Sequence, residues 1–240
     1  MQFLNENNFN VSDKVLESAP MTVNGTIQVT AFLGLLLICA ATFVWSRYTG
    51  GYTDIAMMLT GGGTILGFIL AIIISFTKNK YIIPVYAVCE GCALGGISAI
   101  FEQQMPGIVL QAVAGTFAAL FAMLALYRAG LIRATEKFRS VVFIATAAIA
   151  GVYLIDIIGS LFFHMNVPLI NSASPAGILI SIGVTAFAAL NLILDFDFIE
   201  RGEQMMLPKN YEWYGAFGLM VTLVWLYLEI LKLLSKLNRK

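Results

Sequence analysis

Five carboxyl side chains stand where a carboxylate is costly. Glu90, Asp156, Asp195, Asp197 and Glu229 each fall within long apolar stretches of a 240-residue chain. At the centre of a bilayer a charged side chain costs roughly 2.5–3.5 kcal/mol on insertion scales. Each acid must therefore carry a proton, meet water in a cavity or bind a cation. Carboxyl oxygens at successive depths suit a cation or proton path, because an ion leaving water needs replacement oxygen ligands along its way. An anion path needs the opposite sign, and no Lys or Arg lies near the middle of any apolar stretch.

The elements that must position these acids follow from composition. The chain is 59% hydrophobic and 12% charged, with a mean hydropathy of +0.85. An ordinary soluble domain is about 45–50% apolar and about 25% charged, so this is an integral membrane protein with the lipid bilayer as its solvent. Fourteen basic residues against fourteen acidic ones give a net charge of zero, which leaves no basic excess for phosphates and excludes nucleic acid as a main partner. A helix needs about 20 apolar residues to cross a bilayer. The pattern predicts seven spans, near 28–47, 55–77, 81–101, 107–131, 139–163, 174–199 and 212–235. This is an all-α, seven-helix transmembrane domain over 26–240, preceded by a polar tail over 1–25. The tail lacks the basic start of a cleaved signal peptide, so the first helix is expected to stay in the mature protein.

Orientation follows the basic residues. Lys14, Lys78, Lys80, Arg128, Arg133, Lys137, Arg139, Arg201 and Lys209 fall on the side of the N-terminus, against Arg47 on the other. The N-terminus is expected to be cytoplasmic. Lys232, Lys236, Arg239 and Lys240 argue the other way, but seven spans place them outside.

Depth and helical phase then sort the acids. Glu90 is expected roughly 15 Å into the third span, at mid-membrane. Asp195 and Asp197 come near the cytoplasmic end of the sixth span, and Asp156 and Glu229 in the outer half. Asp195 and Asp197 are about 200° apart around a helix and cannot face one cavity. Asn191 shares a face with Asp195 and could add a carbonyl ligand. Asp197 shares a face with Arg201 and Glu200, which suits an interfacial ion pair. Asp156 suits a carboxyl hydrogen-bonded to a neighbouring helix. Glu229 lies three residues before Lys232, which suits an exposed pair near the span end. Asp195 and Glu90, flanked by long apolar runs, are the expected ion or proton sites, and the expected ligands of any transient Ca²⁺.

Other motifs carry less. Cys39, Cys89 and Cys92 lie in apolar runs and give no disulfide framework; the C-x-x-C of Cys89 and Cys92 reads as small residues on a buried helix. His164 is a lone loop histidine. There is no H-E-x-x-H, no His/Cys cluster and no serine-hydrolase elbow. Gly61–Gly63 lack the Lys and Ser/Thr of a phosphate loop. No enzyme activity and no resident cofactor are expected. Gly63 with Gly67 and Gly91 with Gly95 stand four apart, the spacing at which helix backbones approach closely in lipid.

Seven spans, Y-A-V-C-E-G at 86–91, N-L-I-L-D-F-D-F-I-E at 191–200 and L-Y-L-E-I-L-K-L-L at 226–234 together resemble the Bax inhibitor-1 family, most of all its bacterial members. The likeness implies a seven-helix fold and a pH-sensitive calcium leak. It also implies an aspartate pair on the last two helices that shares a proton and controls opening. Asp195 matches the sixth-helix aspartate. For the seventh helix, one register places Glu229 at the aspartate position and the other places Thr222 there; Asp197 or Glu90 are alternative partners of Asp195. The expected function is a pH-sensitive cation leak channel or transporter, with calcium or protons as cargo, in a bacterial inner membrane. The alternative is a membrane-embedded regulator that binds a membrane protease or a stress or cell-death partner through the tail. An intramembrane aspartyl hydrolase fits less well, because Asp195 and Glu229 fall in opposite halves of the membrane.

Overall fold

The computed structural model describes residues 19–163 and 172–239. They form seven helices: α1 (Val23–Thr49), α2 (Thr53–Thr77), α3 (Ile83–Gln104), α4 (Ile108–Arg128), α5 (Glu136–Phe163), α6 (Pro175–Gln204) and α7 (Asn210–Asn238). Each includes a stretch long and apolar enough to cross a membrane. Among the described residues there is no strand, only an isolated bridge between Pro20 and Pro208. The all-α, seven-helix architecture is the predicted one.

The helix ends depart from the predicted spans for local reasons. α1 starts at Val23, inside the expected tail, because the Thr22 hydroxyl caps it by accepting the Gly25 N–H at 2.9 Å. The remainder of the tail, over 1–18, and His164 lie outside the described residues. α6 runs on through Gln204, five residues past its predicted end. Asp195 is therefore nine residues, about 14 Å, from the end of its helix, deeper than a span ending at 199 implied.

α3 and α7 are the buried helices. α1 and α2 pack on α3, while α7 meets α1, α3, α4 and α6. The glycine pairs do what their spacing predicted. A Cβ at Gly91 or Gly95 would run into the α1 backbone at Leu37 and Ala41, and one at Gly63 would meet the α3 backbone at Cys89. A core of Leu33, Tyr86, Leu94, Phe217, Met220 and Leu231 fills the space between α1, α3 and α7. α5 is the exception. Among the described residues its backbone comes close to α6 alone, its side chains reaching α7 through Tyr153, and among its described side chains Val142 is the only buried apolar one.

The start of α1 is tied to the turn between α6 and α7. Met21 N–H donates to the Leu207 carbonyl at 2.7 Å, and Lys209 N–H to the Ala19 carbonyl at 3.1 Å. Glu212, 4% exposed, accepts from Thr22 N–H at 3.0 Å and from the Thr22 hydroxyl at 3.2 Å. Val23 N–H reaches Glu203 at 3.0 Å. Two carboxylates thus sit on the positive end of α1.

Candidate functional site: the intramembrane carboxyls

The α6–α7 contact places Asp195. Its Oδ1 lies against Gly218, where an added Cβ would stand 3.4 Å away, and Thr222, one turn further along α7, is the polar side chain that faces the carboxyl. Its Oδ2 is buried with no hydrogen-bond partner among the described residues. A buried polar oxygen in that condition calls for a specific cause, and a carboxyl that takes up a proton or a cation supplies one.

The two seventh-helix candidates stand differently to Asp195. Thr222 faces Asp195, whereas Glu229 is seven residues further along α7, about 10 Å away along the axis. In the place where the family likeness implies a second aspartate, this chain has a threonine.

Glu229 belongs to a different cluster, and the expected exposed pair is corrected: it is 2% exposed. Both its oxygens accept from the Tyr153 hydroxyl of α5 at 2.9 Å, and Lys232 Nζ lies 3.3 Å away and 4.4 Å above the Tyr153 ring. One turn beyond, Lys236 is buried, and its Nζ donates to Ser181 Oγ at 2.6 Å and to the Gly177 carbonyl at 3.3 Å. Asp156 is half-buried on α5, one turn past Tyr153. Sequence reasoning assigned Lys236 to the tail. Its signal was there, because Glu229, Lys232 and Lys236 at i, i+3 and i+7 share one helix face.

Glu90 lies between α2 and α3. An added Cβ at Gly67 would stand 3.0 Å from its Oε1, and Tyr86, one turn back on α3, is its polar neighbour. The Tyr86 ring packs edge-on against Phe217 at 5.0 Å, and Phe217 precedes Gly218, the residue beside Asp195. Glu90 thus lies on the α2 side of α3 and Asp195 at the α6–α7 contact, and the Tyr86–Phe217 ring pair joins α3 to α7 between them.

Asp197 is held between two helices. Arg139 of α5 pairs with it at 2.5 Å and Arg201, one turn along α6, at 3.8 Å, so the ion pair with Arg201 is present and its shorter arm comes from a residue that the sequence marked only as a basic charge at the start of the fifth span. Glu200 instead accepts from the Tyr127 hydroxyl of α4. Asn191 directs its amide nitrogen to Thr146 Oγ1 of α5 and to the Phe187 carbonyl, each at 2.8 Å. The cysteines are free. Among the described residues no three His, Cys, Asp or Glu side chains gather as a metal site.

Seven membrane-spanning helices with carboxyls at separate depths define a polytopic membrane protein whose acids face other helices. The family model described as Bax inhibitor 1 like matches residues 2–239, and the chain belongs to that family. No curated protein and no solved structure matches it.

Proposed function

We propose that this protein is a pH-sensitive cation leak or transporter, with calcium or protons as cargo and Asp195 as the central site. One observation carries the reading: Oδ2 of Asp195 is buried at the α6–α7 contact without a hydrogen-bond partner among the described residues. A carboxyl so placed takes a proton or a cation according to pH, and each changes how tightly α6 holds α7. Glu90, reached from the same α7 segment through Tyr86 and Phe217, is the second site. Any cation site here uses one or two carboxyls completed by hydroxyl or carbonyl oxygens. In this reading the protein works without catalysis or a resident cofactor, in a bacterial plasma membrane with the N-terminus cytoplasmic.

The test is flux. Proteoliposomes carrying the protein are expected to release calcium in a pH-dependent way, and Asp195→Asn is expected to flatten that dependence. Unchanged flux in the variant at every pH would overturn the assignment.

A second reading, a regulator that docks a membrane protease or a stress partner, is favoured by the pinning of Ala19 and Met21 beside the α6–α7 turn. Deleting residues 2–18, which spares the pinned segment, would abolish a co-purifying partner while leaving flux intact.

A further inference from the structure

A cavity of about 500 Å³ lies between α1, α3, α4 and α7. Its mouth opens sideways. α1 and α4 make no backbone approach to each other among the described residues, and Ile38, Val113 and Phe117 at its rim are exposed. Both flanking helices are membrane-spanning, so the mouth faces the lipid. Along α1 the groove runs from Thr30 to Trp45, fifteen residues or about 22 Å, and ends at a tryptophan of the kind that marks the membrane interface.

The chemistry of the wall selects the occupant. Every lining hydroxyl is already engaged. Thr30, Thr42 and Thr116 donate to the carbonyls four residues back, at 2.8, 2.7 and 2.8 Å, which leaves their methyl groups for the groove. Ser98 and Tyr227 bond to each other at 2.6 Å. A polar ligand would lose its hydration and find no free hydroxyl hydrogen along the Thr wall, the Trp45 indole N–H standing only at one end, and an apolar cavity of this kind does not hold water. The remaining ligand class is an unfunctionalised hydrocarbon chain, and lipid tails supply it at the mouth. We propose that this groove is a binding site for one phospholipid acyl chain, entering between α1 and α4 from the leaflet on the Trp45 side.

Gly34 makes the proposal testable, because a Cβ there meets nothing within 4 Å. Gly34→Phe would fill the groove without displacing backbone. Gly61, equally open but on α2 and outside the groove, gives the matched control. The protein is reconstituted in phosphatidylcholine vesicles in which some acyl chains carry a diazirine, irradiated, and its adducts are mapped by mass spectrometry. Adducts on Leu37, Val113 and Leu223 are expected at least fivefold above those on the exposed α2 residues Ile65 and Phe68. Gly34→Phe should reduce the groove adducts at least fivefold, and Gly61→Phe should leave them unchanged. Should Gly34→Phe lower the melting temperature, Val113→Trp on the facing wall is expected to give the same loss. Adducts spread evenly over α1, α2 and α4 would overturn the proposal. So would reaction of an Ala41→Cys variant, in a background with Cys39, Cys89 and Cys92 replaced by Ala, with a charged maleimide, which would show a water-filled groove.

Discussion

At the scale of single residues, the consequential position is Thr222. The Thr222 side chain that faces Asp195 puts a hydroxyl where the proposed leak, by the family likeness, would use a second carboxyl. Two carboxyls in contact release their protons in two macroscopic steps that belong to the pair. Thr222→Asp is therefore expected to convert a single-step pH profile of flux into a two-step one, and Thr222→Val, which only removes a donor, to keep one step. Asp195 itself was legible in the sequence, because an acid interrupting an apolar run is too costly in lipid to be incidental. Its neighbours and those of the other acids were not. Tyr153 and Glu229 are 76 positions apart, and a lone tyrosine in an apolar helix gives no hint of which carboxyl it will meet. Arg139 read only as a basic charge at the start of the fifth span and is the shorter arm of the Asp197 pair.

At the scale of elements, the helices were legible and their ends less so. Hydropathy counts residues, whereas the start of α1 depends on a capping threonine and the length of α6 on polar residues that continue a helix beyond the apolar stretch. The glycine stripes were the best-read packing signal, because in lipid, helices meet through small residues and close contact, with no hydrophobic drive between them. Gly95 abuts the backbone of α1 at Ala41. Gly95→Leu is thus expected to destabilise the bundle by roughly 1–3 kcal/mol or more, through overpacking against a wall that cannot yield. Gly61→Leu, with open space around it, should be near neutral. Thermal unfolding of the two variants in detergent makes the comparison.

At the scale of the whole molecule, the fold joins the beginning of the chain to its last connection. Glu212 caps α1 from 190 positions away, and nothing local in either segment announces it. Removing the carboxyl by Glu212→Ala leaves the Thr22 donors unpaired, at a cost of roughly 1–3 kcal/mol. Hydrogen exchange is expected to quicken together at the start of α1 and in the α6–α7 turn. Quickening in α1 alone would show that the two are not joined.

The most loosely packed helix has the most regular attachment. Arg139, Thr146 and Tyr153 of α5 reach Asp197, Asn191 and Glu229, and they stand seven residues apart, so they fall on nearly one line down the helix. A stave held by three evenly spaced pegs, with Val142 as its one described buried apolar side chain, does not loosen gradually. A shift of one turn would break all three contacts together. The expected behaviour is that α5 is seated on, or unseated from, the other six helices as a unit. Tyr153→Phe should accordingly raise hydrogen exchange along the whole of α5, as far as the Arg139 end about 21 Å away, rather than only around the missing hydroxyl.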